Sequence, residues 1–352
     1  MDNGLPLVSF CIKCYNQEHL IKEALKGAFE QTYSNMEIIV SDDCSRDNSV
    51  QVIKDACEEY RKRGGRFPIR IIENDQNLGN GGNWEKLCSV ARGEWFVKAD
   101  GDDRSLPTRV EEIIKLWIDG GRKATCIGSD AVLIDMKGRS LGPVRRRVLQ
   151  TNRIAGCVAA YHRSTYDVFG PVSVKAATDD GVYGPRAEML GPTAYVEKPL
   201  VLYRVGAGAS RGVFGFRERR LRNFKATYHW IDQWECDVNM LSQNKKGFEE
   251  KCSAMRISIE NWRKSTDRNI LTWANEWHSR VRTMRLRPFK ALFTISGIYK
   301  FALLLPNFLC DIVLDFMHVS HMIFLRMRYN ENLTTKISGL AIYTEIMRYR
   351  YK

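Results

Sequence analysis

The stretch FVKADGDD, residues 96–103, passes from apolar to acidic within eight positions. Its first half reads as a buried strand, and its second half sets Asp100, Asp102 and Asp103 within four positions. Two like charges about 4 Å apart repel by roughly 4 kcal/mol at a surface-like dielectric. Acids crowded at a strand end are relieved by a hard divalent cation, whose oxygen ligands are often shared with substrate phosphates. They are also found in solvated turns, here one that would cap a helix starting near Ser105. The sequence on either side bears on the choice.

Upstream, apolar runs alternate with helical spacing. Residues 7–12 (LVSFCI) read as a strand, and residues 18–31 place Leu20, Ile21, Ala24, Leu25 and Ala28 on one helix face. A second strand, 36–41 (MEIIVS), ends at Asp42 and Asp43, and the cap-type run SRDNS opens a second helix. A third strand follows at 68–73, a third helix at 83–91 and a fourth strand at 94–99. This rhythm predicts an α/β fold with a doubly wound, mostly parallel sheet. Ligands of such sheets bind in the crevice outside the carboxyl ends of the strands. Asp42-Asp43 and the Asp100–Asp103 cluster both stand at such ends, so they should face one crevice.

The chain has 352 residues, 44% hydrophobic and 27% charged, an ordinary globular composition. Its net charge of +13 is unevenly placed. Up to Leu202 there are 28 basic and 28 acidic residues; from Tyr203 onward there are 26 and 13. The asymmetry predicts two regions, 1–214 and 215–352, with different partners. In the second, FRERRLRNFKATYHWIDQW reads as a basic amphipathic helix, and helical patterns continue to Trp277. Farther on, Lys300, Asp311, Asp315 and Arg326 interrupt the apolar segments well short of the ~20 residues a membrane span requires. Basic runs beside Phe- and Leu-rich segments suit a helix lying on an anionic membrane surface. A helical subdomain, packed on the first region or against a second copy in a homo-oligomer, fits them equally. No motif for nucleic acid accompanies the charge. Residues 1–6 lead into the first strand without a basic region or cleavage site, and the ten cysteines are scattered through apolar patterns. Both features predict a cytoplasmic chain with reduced thiols. The pair Cys11 and Cys14 lacks the second pair that a zinc site needs.

Three blocks carry a family resemblance. Residues 6–53 (PLVSFCIKCYN…EQTYSNMEIIVSDDCS…) give a strand, a turn with a Tyr-Asn pair, Q-T-Y, and a strand ending in Asp-Asp-x-Ser. Residues 74–110 hold Asp100-Gly101-Asp102, and residues 177–210 hold Asp179-Asp180 and the strand VLYR ending at Arg204. Together these resemble the family-2 inverting glycosyltransferases of GT-A fold, over roughly residues 5–212, with the landmarks in the family's order. The resemblance implies that a sugar moves from a nucleoside-diphosphate sugar, a UDP-sugar first, to a saccharide or lipid-linked acceptor. The setting it implies is surface-polysaccharide assembly on the inner face of the cell membrane. It implies that Asp43, with Asp42 as the alternative, accepts a hydrogen bond from the nucleotide base, and that Cys14, Tyr15 and Asn16 wall the base pocket. Asp100 would lie towards the ribose and Asp102 would ligate Mn²⁺ or Mg²⁺, with Asp100 and Asp103 as further ligand candidates. Arg204 would close the donor site. The base that deprotonates the acceptor falls on Asp180, with Asp179 beside it capping a helix. Where many relatives carry a histidine two residues past that arginine, Gly206 stands here. Trp84 and Trp95 are expected in the core. A sugar nucleotidyltransferase or a non-catalytic scaffold of the same fold are the competing readings; the first usually has a Gly-rich phosphate loop where this chain reads KCYNQEHL.

Overall fold

The computed structural model describes residues 4–144, 156–172, 179–207, 216–244 and 247–284. Strand β1 (Val8–Cys14) is buried along its whole length, so it runs past its apolar stretch to include Lys13 and Cys14. Helix α1 (Ile21–Phe29) follows, then β2 (Met36–Asp42), α2 (Ser49–Lys62) and β3 (Ile69–Glu73). Helix α3 (Gly79–Val90) begins four residues before the spacing predicts, although Gly79, Gly81 and Gly82 disfavour a helix. The Asp43 carboxylate explains the early start: it accepts the N–H groups of Leu78 and Gly79 at 2.8 and 2.9 Å, serving as a cap from another loop.

The acid-ended strand is β4 (Trp95–Asp100), followed by the two-residue β5 (Arg104–Ser105). Helix α4 (Arg109–Asp119) starts later than the predicted Ser105. Arg104 and Ser105 are drawn into the sheet instead, and Pro107 disfavours helical geometry at Leu106. Next come β6 (Cys126–Ile134), β7 (Ser140–Val144), β8 (Ala160–His162), the short α5 (Ser164–Asp167), α6 (Asp180–Leu190) and β9 (Thr193–Arg204). Two long helices close the described chain, α7 (Phe216–Asn244) and α8 (Glu249–Met284).

The sheet runs β3-β2-β1-β4-β8-β6-β9-β5, with β7 paired to β6 outside that path. Its first four strands are mutually parallel, the doubly wound half that the rhythm predicts. Strand β8 then turns antiparallel to both β4 and β6, while β9 runs parallel to β6. Val8, Phe10 and Ile12 of β1 share one buried cluster with Ile21 and Leu25 of α1 and Val110, Ile113 and Trp117 of α4. Each such side chain contributes about 1.5–3 kcal/mol on burial. Trp84 and Trp95 are both fully buried, as core residues should be.

Two contact units divide the chain. The first takes the residues up to Arg211 together with Asp232–Arg256; the second takes Gly212–Ile231 and the residues from Ile257 onward. Among the described residues no helix is long and apolar enough to cross a membrane. The interrupted apolar segments around Lys300–Arg326 lie outside the described residues, as does most of the loop after Arg204.

Candidate active site

Register sets the acids side by side. On one flank of β1, Cys14 pairs with Asp42; on the other, Lys13 pairs with Asp100. Gly101 turns the chain where no side chain fits: a Cβ there would lie 2.4 Å from Gln17 Oε1 and 2.9 Å from the Lys13 carbonyl oxygen.

Two lysines organise the centre. Lys13 Nζ lies 3.2 Å from Asp100 Oδ1 and 3.1 Å from Asp179 Oδ2, and it also donates to Asn80. Lys98 Nζ, fully buried on β4, donates to Asp179 Oδ1 at 3.1 Å and to Asp180 Oδ1 at 2.5 Å. Burial alone would push the Lys98 ammonium down, but Asp179 and Asp180 outweigh it and hold the group charged. Asp179 is buried, caps α6 by accepting the Asp180 N–H, and is held well below the usual carboxylate range because Lys13 and Lys98 overcome its desolvation. Asp180 differs. Its side chain keeps 41% exposure, and burial of the rest together with Asp179 raises its carboxyl despite Lys98. Oδ2 of Asp180 accepts the Gly156 N–H at 3.2 Å, so closely that a Cβ on Gly156 would fall 1.8 Å from Oδ1.

The doubled acid after Gly101 splits into two environments. Asp103 is buried; its Oδ1 accepts the Arg204 N–H at 2.7 Å, and its Oδ2 has no hydrogen-bond partner among the described residues. Desolvation, with Asp102 and Asp100 adding to it, pushes this carboxyl up to about 8. Asp103 is thus tied to the β9 backbone at Arg204. Asp102 stays partly exposed, raised to about 6 by desolvation and by Asp100. Asp100 is itself lowered, because Lys13 and Lys98 outweigh its desolvation. Arg204 spends its guanidinium on backbone, donating to the carbonyls of Asp102 (3.1 Å), Asp135 (3.0 Å) and Met136 (3.2 Å).

At the other end of the crevice, Asn16 takes a left-handed φ of 51° and binds the β2 loop through Ser45 and Arg46. Tyr15 is half-buried beside it, and Cys14 is buried. Asp42 folds back on Ser45, accepting its N–H at 2.8 Å and its hydroxyl at 2.6 Å. At the head of α2, Asp47 accepts the N–H of Ser49 at 3.0 Å and its hydroxyl at 2.5 Å. Asp43 accepts Asn74 Nδ2 at 3.1 Å besides its two backbone bonds; its carboxyl is raised by burial, partly offset by those donors.

With this geometry in place, the relatives are informative. The sequence profile described as Glycosyl transferase family 2 matches residues 9–155. An uncharacterized glycosyltransferase of Haemophilus influenzae is 34% identical over 260 residues, 67% of this chain and 78% of that protein. The chain belongs to glycosyl transferase family 2. Other relatives match over shorter stretches, and the chain spans about half the length of two of them, 47% and 45%. The succinoglycan biosynthesis protein ExoO of Rhizobium meliloti is 31% identical over 137 residues, 39% of this chain and 36% of its own. Among solved structures, Staphylococcus aureus TarS 1–349 in complex with UDP-GlcNAc superposes with a TM-score of 0.53 at 15% identity, covering 92% of this chain and 93% of TarS 1–349. A mannosyltransferase of Pyrobaculum calidifontis, in complex with GDP-Man and Mn²⁺, gives 0.51 at 16%, covering 92% and 88%. At these identities the likeness shows the fold.

For a family-2 transferase, the residues missed by sequence reasoning are the cations. Lys13 stands one residue before the end of buried β1, Lys98 two residues before the acid that ends β4, and a lysine inside an apolar run is itself the signal. Among the described residues no three Asp, Glu, His or Cys side chains converge as a metal cage. The donor set still suits a hard cation. Asp102 keeps an open face, Asp100 raises its carboxyl, and one or two carboxylates suffice where substrate phosphates complete the shell.

Proposed function

We propose that this transferase moves a sugar, with inversion, from a UDP-sugar to a hydroxyl of a saccharide or lipid-linked acceptor in surface-polysaccharide assembly. The observation that carries the proposal is the division of labour at the head of α6: Asp179 is locked between two lysines while Asp180, next in sequence, remains open. A single displacement needs one base, and a positioned carboxylate is enough. Asp180 takes the acceptor proton as the acceptor oxygen attacks the anomeric carbon; the bond to the diphosphate breaks and its electron pair leaves with the nucleotide. Lys98 and the Gly156 N–H each hold one carboxyl oxygen of Asp180, fixing the side chain in place.

Asp43 has three of its roughly four acceptor positions filled, leaving one for a donor such as uracil N3–H. Cys14, Tyr15 and Asn16 would line that pocket, with Asp100 towards the ribose. Asp102, with Asp100 beside it, would hold Mn²⁺ or Mg²⁺, which when bound neutralises charge on the departing diphosphate. The donors bound in the two structural neighbours, UDP-GlcNAc and GDP-Man, and the Mn²⁺ of one of them support this reading. The name of ExoO supports the polysaccharide setting. We further place the basic residues beyond about 280 at the inner membrane face.

The test is a panel of UDP-, GDP- and dTDP-sugars with Mn²⁺, assayed for released nucleoside diphosphate. Release from a UDP-sugar is expected. Pyrophosphate released from a nucleoside triphosphate would establish a nucleotidyltransferase instead, and no release from any donor would leave a scaffold.

A further inference from the structure

Helix α6 carries a proline in its interior, Pro185. Proline has no N–H, so the carbonyl four residues back, that of Gly181, loses its helical partner. Such a group, buried and unpaired, costs a hydrogen bond's worth of stability. Here the donor comes from another helix. The indole Nε1–H of Trp234, a fully buried side chain on α7, bonds the Gly181 oxygen at 2.7 Å. Three residues on, Asp237 receives Arg186 in a two-pronged ion pair, Nε to Oδ2 at 2.8 Å and Nη2 to Oδ1 at 2.9 Å. Arg186 and Asp237 are both buried, and the third prong of Arg186 reaches the Gly170 oxygen at 2.8 Å. Trp234 and Asp237 thus grip α6 on either side of Pro185. Both belong to the same contact unit as the crevice, although they lie 30 and more residues beyond Arg204.

We infer that Trp234 and Asp237 are positioning residues for the helix that presents Asp180. The turn bearing the acid cannot complete its own hydrogen bonding, so α7 completes it from outside and fixes where that turn points. The inference rests on reading Asp180 as the base.

Trp234→Phe keeps most of the apolar volume and removes the donor. The expected result is a kcat for sugar transfer lowered by about tenfold or more, the scale of loss a misplaced reacting group produces. UDP affinity should stay at the parent value, because the nucleotide side is built from β1, β2 and β4. Amide hydrogen exchange across residues 182–187 should quicken. Adding Pro185→Ala to this variant returns an N–H to the Gly181 carbonyl, so both exchange protection and kcat should recover; a cavity left by the smaller ring would not be filled by that change. Asp237→Asn, the same shape with a weakened pair, supplies a second arm with the same split between kcat and UDP affinity. Parent-like kcat in Trp234→Phe, or a double variant no better than the single one, would overturn the inference. Should Asp180→Asn itself transfer sugar, the base assignment fails, and the exchange rates of α6 in the single and double variants still decide the brace.

Discussion

Asp103 shows what burial does to one carboxylate. Its folded value of about 8 lies above the ordinary value near 4, so ionisation favours the unfolded chain. The cost is absent below about pH 4, grows as pH rises towards 8, and is constant beyond. Asp103→Asn keeps an acceptor for the Arg204 N–H and cannot ionise. With metal chelated, it should melt above the parent at pH 8, the gap closing towards pH 4; a gap independent of pH would remove the buried acid as its cause. Asp179 has the opposite sign. Its depressed value means that its ion pairs stabilise the fold above the ordinary carboxylate range and lose that effect as pH falls below it. Asp179→Asn leaves Lys13 and Lys98 short of a partner, and breaking a buried pair costs about 3–5 kcal/mol, measurable as a lower denaturant midpoint. Asp180→Asn should melt near the parent and bind UDP and Mn²⁺ normally, yet transfer sugar roughly 10²–10⁴-fold more slowly, the usual worth of a positioned base. If Asp179→Asn proves the inactive variant and Asp180→Asn the active one, the two roles are exchanged.

At the scale of elements, the site depends on glycines where strands and loops close on each other. Gly156 leaves room for the Asp180 carboxylate, and its N–H is a partner of that carboxylate. A methyl there displaces the flexible acid rather than the backbone. Gly156→Ala should therefore lower kcat, by up to about 10²-fold, while leaving UDP binding intact. Unchanged turnover would mean that Asp180 works from another rotamer. Gly101 is more constrained, since its would-be Cβ meets the Lys13 carbonyl oxygen, which belongs to backbone. The same reasoning explains α3, whose glycine-rich start is held by Asp43: an acid expected to read the base also anchors a helix.

At the scale of the whole molecule, charge is unevenly divided. The neutral first part builds the crevice; the excess of +13 lies from Tyr203 onward. If that part attaches to anionic lipid, a chain truncated after Met284 should release nucleotide from its donor as before but stay free of anionic vesicles. Raising the salt should release the full-length chain too, because screening at 0.1 M acts over about 10 Å. Vesicle binding that survives both truncation and salt would locate attachment elsewhere.

The sequence by itself determined the alternation of strands and helices, the acids at the ends of β2 and β4, and the family. Strand periodicity and strand-end chemistry are local, and each is written in consecutive residues. Boundaries failed where a distant group intervened: α3 starts early because Asp43 caps it, and α4 starts late because Arg104 and Ser105 pair with β9. The family resemblance already assigned different roles to Asp180 and Asp179, but only the tertiary structure shows how the surroundings of Asp180 differ from those of Asp179, and those of Asp102 from those of Asp103. In each pair two adjacent acids are equivalent as letters and differ by what the fold brings against them: the Arg204 N–H in one case, Lys13 and Lys98 in the other. The donor for Gly181 was likewise unreadable, because a carbonyl orphaned by Pro185 finds its partner 53 residues away. Side-chain environment is a property of contacts between distant segments, and no local pattern records it.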